Sequence, residues 1–181
     1  MSDFDFDDLR AKVVAACKEI FSETAAQLDE DDLCAFAVFT DSGAMTVCPA
    51  MCRASHVDQC ESLEDRLFYK YSPTEWVLEG SQTVDGPFNG ICSSLYDHVE
   101  RMDVDSEAFR SFRVRLIETC VEAQLRLRRD FFHARGEDFL LLVTISNDEE
   151  PVAELRERIQ RLNSASISDE YHRWTKTWSS A

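Results

Sequence analysis

The sequence AFAVFTDSGAMTVCP, residues 35–49, predicts the sheet against which the rest of the chain packs. Every residue from 33 to 39 is apolar, which is typical of a strand covered on both faces. Residues 41–43, Asp-Ser-Gly, favour a tight turn, because glycine tolerates positive φ and aspartate can bond its own backbone. Residues 45–48 then alternate with the period of a half-buried strand. We expect Pro49 to end this strand, because proline has no backbone N–H to donate.

Helical patterns flank the predicted hairpin, and a second apolar run can join its sheet. Residues 139–146 form that run, and we expect it beside residues 33–39 at the centre of the sheet. The predicted helices are 8–28, 55–69, 88–102, 106–133, 152–162 and a short docking helix at 171–178. Short strands among longer helices predict a single α+β domain over residues 1–181, with a small, mostly antiparallel sheet packed against several helices.

Local signals mark where some of these elements begin and end. Asp5 or Asp7 can cap the first helix. Residues 72–75, Ser-Pro-Thr-Glu, have the pattern of a capping box with proline in the first turn. We expect one helical turn there and then a short strand over residues 76–80. Asn163 is placed to close the helix 152–162.

Acidity is the strongest feature of the composition. The 181 residues include 35 acidic and 19 basic side chains, which gives a net charge of −16. The first 60 residues hold 12 acids and 4 bases. Attraction to phosphate needs a basic surface, so binding to nucleic acid or to an anionic membrane is disfavoured. A basic protein is the favoured class of partner.

The ends of the chain and its cysteines indicate the cytoplasm. The first residues, MSDFDFDD, have neither the basic nor the apolar region of a signal peptide. No run approaches the roughly 18 apolar residues of a membrane span. Of the seven cysteines, Cys17, Cys34, Cys92 and Cys120 fall at apolar positions, as small buried thiols do in a reducing compartment.

Four segments of the sequence together resemble one known family. They are residues 35–49, residues 69–80 (YKYSPTEWVLEG), residues 139–146 and residues 161–163. In order and spacing they are similar to the bacterial domain-of-unknown-function family 4303. The resemblance implies a compact intracellular α+β domain. It also implies an association with bacterial conflict systems, in which small acidic proteins protect the cell from a toxin. The family brings no catalytic residues, and residues 51–64 lie outside its pattern.

These observations predict a non-enzymatic immunity protein that neutralises a toxin by occluding its basic active face. The acidic run before the first strand, the hairpin turn and the aromatic residues near the predicted capping box are the candidate partner-binding residues. They are Asp29, Glu30, Asp31, Asp32, Asp41, Tyr69, Tyr71 and Trp76. Aromatic residues anchor many interfaces, but packing beneath the loop explains the last three equally well. We expect no cofactor.

A metal-binding or thiol-dependent function is the competing hypothesis. Cys48, Cys52, His56 and Cys60 recur every four residues, and thiols with an imidazole are a zinc ligand set. On a single helix the outer pair would be about 18 Å apart at 1.5 Å per residue, too far for one tetrahedral ion. Cys52, His56 and Cys60 remain candidates only if another part of the chain completes the site. A Cys48–His56 nucleophile pair lacks an identifiable acid to orient the imidazole.

A third hypothesis is a regulatory module that binds a small ligand between the sheet and its helices. A deep apolar pocket at that place would be the evidence for it. The sequence contains no phosphate-binding or hydrolase motif.

Overall fold

The computed structural model describes residues 4–28, 30–76, 86–146 and 150–178. Within these ranges the chain forms seven α-helices and three strands. In chain order they are α1 (Phe6–Gln27), β1 (Leu33–Asp41), β2 (Val47–Arg53), α2 (Ala54–Asp58), α3 (Leu63–Tyr71), α4 (Asn89–Val99), α5 (Glu107–Asp130), β3 (Leu140–Ser146), α6 (Val152–Leu162) and α7 (Ala165–Thr177). Short 3-10 turns lie at Glu30–Asp32, Pro73–Glu75 and Phe132–Arg135.

The three strands form one mixed sheet in the order β2-β1-β3. β1 and β2 pair antiparallel as the predicted hairpin, and β1 and β3 pair parallel. The parallel pairing follows from the connection, because α2 to α5 carry the chain across before it enters β3. The predicted α+β class is confirmed, and β1 is the central strand, but the sheet has one antiparallel and one parallel pair where a mostly antiparallel sheet was expected. β3 is the neighbour of β1, as predicted, but it lies at the edge of the sheet.

Pro49 does not end the second strand. β2 continues to Arg53, and Pro49 lies opposite Val38 within the ladder. An edge strand tolerates proline, because one of its sides needs no ladder hydrogen bonds. In the turn before β2 the positive φ of 55° is at Ala44 and not at Gly43. Gly43 provides space instead, since a Cβ there would lie 3.0 Å from the Asp41 Oδ1 atom.

Both faces of the sheet are apolar and covered. Phe36, Val38 and Leu141 belong to a core formed with α1, α4 and α5. Ala35 and Ala37 belong to a second core, which includes side chains of α3, α6 and α7. A strand covered on both faces has no polar alternation, which is why β1 has the continuous apolar sequence predicted for it.

The observed helix ends agree in part with the predicted capping residues and helix bounds. The Asp5 carboxylate accepts from the N–H groups of Asp7 and Asp8, so Asp5 caps α1 as predicted. Asn163 ends α6, and its amide donates to the Ile159 carbonyl oxygen. The predicted helix 55–69 is two helices, because the chain turns after Asp58 and Ser62 caps α3.

The predicted capping box at residues 72–75 does not form. The Ser72 side chain makes no capping hydrogen bond, and its carbonyl accepts from the Glu75 N–H at 2.9 Å in a single 3-10 turn. The strand expected at residues 76–80 lies, after Trp76, outside the described residues. α7 is longer than the predicted docking helix, because it begins at Ala165.

Candidate functional site

A cleft of about 490 Å³ opens at the carboxyl end of β3. The 3-10 turn Pro73–Glu75 and the helices α3, α6 and α7 surround it. Its aromatic lining residues are Phe68, Tyr71, Tyr171, Trp174 and Trp178. We call this the aromatic cleft. Clefts of this size, apolar with a few polar groups, are the usual form of ligand sites.

The aromatic side chains hold one another in fixed positions. The ring of Tyr71 packs edge to face on Tyr171, with 4.9 Å between centroids, and stacks on Trp174 at 5.7 Å. The Tyr71 hydroxyl donates to Glu170 Oε1 at 2.7 Å and contacts the Ile167 carbonyl oxygen at 3.3 Å. Burial raises the pKa of Tyr71, and it raises the pKa of Tyr171 to about 12. Both phenols are therefore protonated at neutral pH, and the Tyr71 hydroxyl acts as a hydrogen-bond donor.

The floor of the cleft is the outer edge of β3. The Asn163 amide accepts from the Leu141 N–H and donates to the Leu141 carbonyl, both at 2.8 Å. Glu150 accepts from the Ile145 N–H at 2.7 Å. Val143 lies between these two positions and lines the cleft, although its side chain belongs to the core on the other face. Because peptide groups alternate along a strand, the Val143 N–H and C=O face the cleft as one donor and one acceptor.

A buried ion pair lies beside the cleft. Arg158 on α6 pairs with Glu150, and their side chains are only 8% and 5% exposed. Glu150 also lines the cleft. Within the described part of the chain, the Arg158 Nε atom makes no hydrogen bond. The pair places a charged group in a lining that is otherwise uncharged.

A second concave surface lies on the other side of Trp174 and Trp178. It is a groove of about 740 Å³ between α3 and α7, with Leu63 and Leu67 as its opposite wall. We call it the α3–α7 groove. Apolar side chains around both cavities are unusually exposed: Leu63 is 70%, Phe68 53% and Trp178 45% accessible. Exposed apolar side chains grouped on one surface are typical of interaction sites.

Acidic side chains flank this apolar surface. The segment 58–65 joins α2 to α3, and four of its carboxylates are exposed. They are Asp58, Glu61, Glu64 and Asp65. Glu64 lines the α3–α7 groove directly. We call residues 58–65 the acidic segment.

The acidic residues predicted to bind a partner have different surroundings. The Asp32 carboxylate accepts from the Arg53 Nε and from both the N–H and the hydroxyl of Ser55, each at 2.7 Å. The hydrogen bond from Ser55, followed by that from Arg53, lowers the pKa of Asp32 to about 2. Asp41 accepts from Met45 and Thr46 within its own turn. Both carboxylates thus hold local structure together.

Asp31 is exposed. Asp29 and the side chain of Glu30 lie outside the described residues.

Two of the three predicted aromatic residues are buried. Tyr71 is 7% and Trp76 5% exposed, and both belong to the second core. The Trp76 Nε1 donates to the Tyr69 carbonyl at 2.7 Å, which fastens the 3-10 turn to α3. Tyr69 is half-buried, and its hydroxyl lies 3.4 Å from His56 Nδ1. Packing beneath the loop therefore accounts for these residues, while Tyr71 also contributes to the cleft wall.

The four-residue repeat of possible metal ligands is divided between two elements. Cys48 and Cys52 lie in β2, His56 lies in α2, and Cys60 follows that helix. Cys52 is buried beside Cys34 and not beside the imidazole. No group of three His, Cys, Asp or Glu side chains in the described ranges is placed to hold a metal ion.

The residues of the aromatic cleft and of the α3–α7 groove can be predicted only in part from the sequence. The spacing of Tyr171, Trp174 and Trp178 correctly indicated a docking helix, and Tyr71 was identified as an aromatic near the turn. The sequence did not identify Leu63 and Phe68 as surface residues of a site, because a single predicted helix over residues 55–69 does not place them on an exposed face of their own. The Leu63–Leu67 spacing of four residues, next to four acids, was the available signal.

Comparisons with known proteins add a family to this description. Among the described residues, no helix is both long and apolar enough to cross a membrane. No curated protein and no solved structure matches the chain. The profile of the family described as a domain of unknown function, DUF4303, matches residues 9–164, and the chain belongs to this family.

Proposed function

We propose that this chain is a non-enzymatic binding protein of the immunity type, which neutralises a toxin by covering the toxin's basic active face. The observation that carries the proposal is the exposed apolar surface of α3 and α7 beside the acidic segment. A net charge of −16 supports a basic partner. The cytoplasm is the proposed compartment.

The apolar side chains supply the affinity in this proposal. Leu63, Phe68 and Trp178 expose about half or more of their surface, so a partner that covers them removes apolar area from water. Burial of one such side chain contributes about 1.5–3 kcal/mol. Aromatic side chains at the centre of an interface often dominate its energy. Phe68 and Trp178 are the proposed anchors.

In this proposal, the carboxylates of the acidic segment increase the rate and the selectivity of association with the partner. Acidic groups beside the apolar surface attract a basic partner and orient it before contact, which raises the association rate. Because the Debye length is about 8 Å at physiological ionic strength, this attraction weakens as salt is added. Neutralisation then follows from steric occlusion, and no covalent step is required.

Titration calorimetry against the purified product of a neighbouring toxin gene tests the proposal. Replacing Leu63 and Phe68 together by aspartate is expected to weaken binding about 100-fold or more, because one proposed anchor and one neighbouring apolar side chain become charged. Val114→Asp is the matched control, since Val114 is 67% exposed on α5. This control is expected to change the affinity less than about threefold. Equal binding by all three proteins, or an affinity unaffected by salt, would contradict the proposal.

A second candidate function is supported by the aromatic cleft itself. Its volume of about 490 Å³ suits a small organic ligand, and the Val143 peptide offers a donor and an acceptor. A flat ligand with an adjacent donor and acceptor, such as a cyclic amide, fits this chemistry. The chain would then be a regulatory module that reports the ligand.

A fragment screen followed by amide NMR distinguishes this second function. Cyclic amides that bind are expected to shift the Val143 amide and the Trp174 indole resonances together, and Trp174→Ala should abolish the shift. A screen in which no compound moves both resonances would eliminate the cleft as a ligand site.

A further inference from the structure

Three pairs of cysteines lie close together, and the pairs differ in exposure. Cys17 and Cys120 lie near one another in the core, both fully buried. The Cys34 thiol donates to the Cys52 carbonyl oxygen across the β1–β2 hairpin at 3.5 Å, and Cys52 is fully buried. Cys48 and Cys92 are different, because both are half-buried. All seven cysteines are free thiols.

The Cys48–Cys92 contact joins two separate elements. Cys48 lies in the edge strand β2, and Cys92 lies in the first turn of α4. The Cys92 Sγ atom is 3.4 Å from the carbonyl oxygen of Val47, the residue that precedes Cys48. This second contact fixes the Cys92 sulfur against the strand at the position where Cys48 begins.

We propose that Cys48 and Cys92 are a peroxide-sensitive pair, which forms a disulfide between β2 and α4 when the protein meets hydrogen peroxide. The geometric basis is that two partly accessible cysteines on different elements lie side by side, because the Cys92 Sγ atom contacts the Val47 carbonyl group, which is bonded to the Cys48 nitrogen. The proposal is independent of the binding function described above.

Cys92 is the attacking thiol. The hydrogen bond from Cys48 lowers the pKa of Cys92 to about 6, whereas the same contact raises the pKa of Cys48. The first turn of a helix also favours a thiolate, because the unpaired N–H groups there carry partial positive charge. Thiolates and not thiols react with peroxide, so the two sulfurs have distinct roles.

The reaction balances in two steps. The Cys92 thiolate attacks one oxygen of hydrogen peroxide, the O–O bond breaks, and the leaving hydroxide takes a proton to become water. Cys92 is then a sulfenic acid. The Cys48 sulfur attacks the Cys92 sulfur, the S–O bond breaks, and the oxygen leaves as a second water with the Cys48 proton. Two thiols are oxidised to one disulfide and one peroxide is reduced to two waters.

The disulfide would tie α4 to the edge of the sheet and enclose α2 and α3 in a covalent loop. Closing a loop of this length restricts the unfolded chain. The oxidised protein is therefore expected to melt about 5–15 °C higher than the reduced protein.

Peroxide titration of the reduced full-length protein, followed by alkylation and non-reducing peptide mass spectrometry, tests the proposal. The first cross-link is expected to join Cys48 to Cys92 and to disappear on treatment with dithiothreitol. Cys48→Ser should leave a Cys92 sulfenic acid that dimedone labels, and Cys34→Ser should cross-link as the wild type does. The melting temperature of each reduced variant verifies that it is folded.

Two results would overturn the proposal. One is a first cross-link between Cys34 and Cys52 or between two molecules. The other is a folded protein whose Cys48 and Cys92 are both alkylated after peroxide treatment.

Discussion

Among single residues, the charged groups with the least exposure have the largest structural role. Glu150 holds both the Arg158 guanidinium and the Ile145 N–H, so it joins α6 to the edge of β3. Asp32 joins the turn before β1 to the start of α2 through Arg53 and Ser55. In both places one carboxylate holds two parts of the fold together.

Removing one partner of the buried pair is expected to destabilise the protein strongly. Arg158→Met leaves the Glu150 carboxylate buried without its cation, which costs about 3–5 kcal/mol in the free energy of unfolding. Urea denaturation measures this difference. Glu118→Gln is the control, because Glu118 pairs with Arg161 at the surface and such pairs contribute at most about 1 kcal/mol. Similar decreases in the free energy of unfolding in both variants would contradict a larger contribution from the buried Glu150–Arg158 pair.

The stabilisation by Asp32 is expected to depend on pH. Its pKa is lowered to about 2, from about 3.9 in the unfolded chain. Because the folded-state pKa is the lower one, this stabilisation is complete above about pH 4 and is lost as the pH falls towards 2. Asp32→Asn should therefore destabilise the protein at pH 7, with a difference from wild type that shrinks between pH 4 and pH 2.

Denaturation curves at several pH values measure this effect. Asp58→Asn, in the acidic segment, is the control for a general change in charge. A difference between wild type and Asp32→Asn that stays constant down to pH 2 would contradict the assignment.

Among the elements, β3 connects the fold to the candidate site. Its inner edge pairs with β1, and its outer edge meets the Asn163 amide, the aromatic cleft and Glu150 in turn. Asn163 therefore ends α6 and occupies one position of the sheet edge with the same side chain. The cleft exists because the helices cover this edge only in part.

Asn163→Ala is expected to expose the first part of this edge. The variant loses one acceptor for Leu141 N–H and two donor contacts, which costs about 1–3 kcal/mol. Hydrogen exchange should become faster at the Leu141 amide and remain unchanged in α1. Asn163→Asp retains the acceptor but not the donors, so an intermediate effect is expected. Unchanged exchange at Leu141 in the alanine variant would contradict this role.

The elements of this fold were more predictable than the contacts between them. Continuous apolar sequence indicated β1 and β3, and helical periodicity indicated α1, α4, α5 and α6, because those patterns record burial directly. The parallel pairing of β3 and the exposure of Phe68 depend on how distant segments meet. Pro49 is a second example, because a proline ends a central strand but is tolerated in an edge strand. That β2 lies at the edge depends on how the three strands assemble.

For the whole molecule, the layered fold places the larger core and the proposed recognition surface on opposite faces of the sheet. The α1, α4 and α5 side holds the larger core. The opposite side is built from shorter helices and has the aromatic cleft, the α3–α7 groove and the acidic segment. A surface that combines exposed apolar side chains with carboxylates suits a basic protein partner.

Protection from the toxin during co-expression is the most direct test of the proposed function. Cells that express a candidate toxin, encoded by a gene next to that of this protein, are grown with the wild-type protein, with Leu63→Asp/Phe68→Asp, or with the Val114→Asp control, at matched soluble levels. Survival is predicted with the wild type and the control, and loss of survival with the double variant. Equal survival with all three proteins would contradict binding through α3 and α7, and no survival with the wild type would contradict the immunity function.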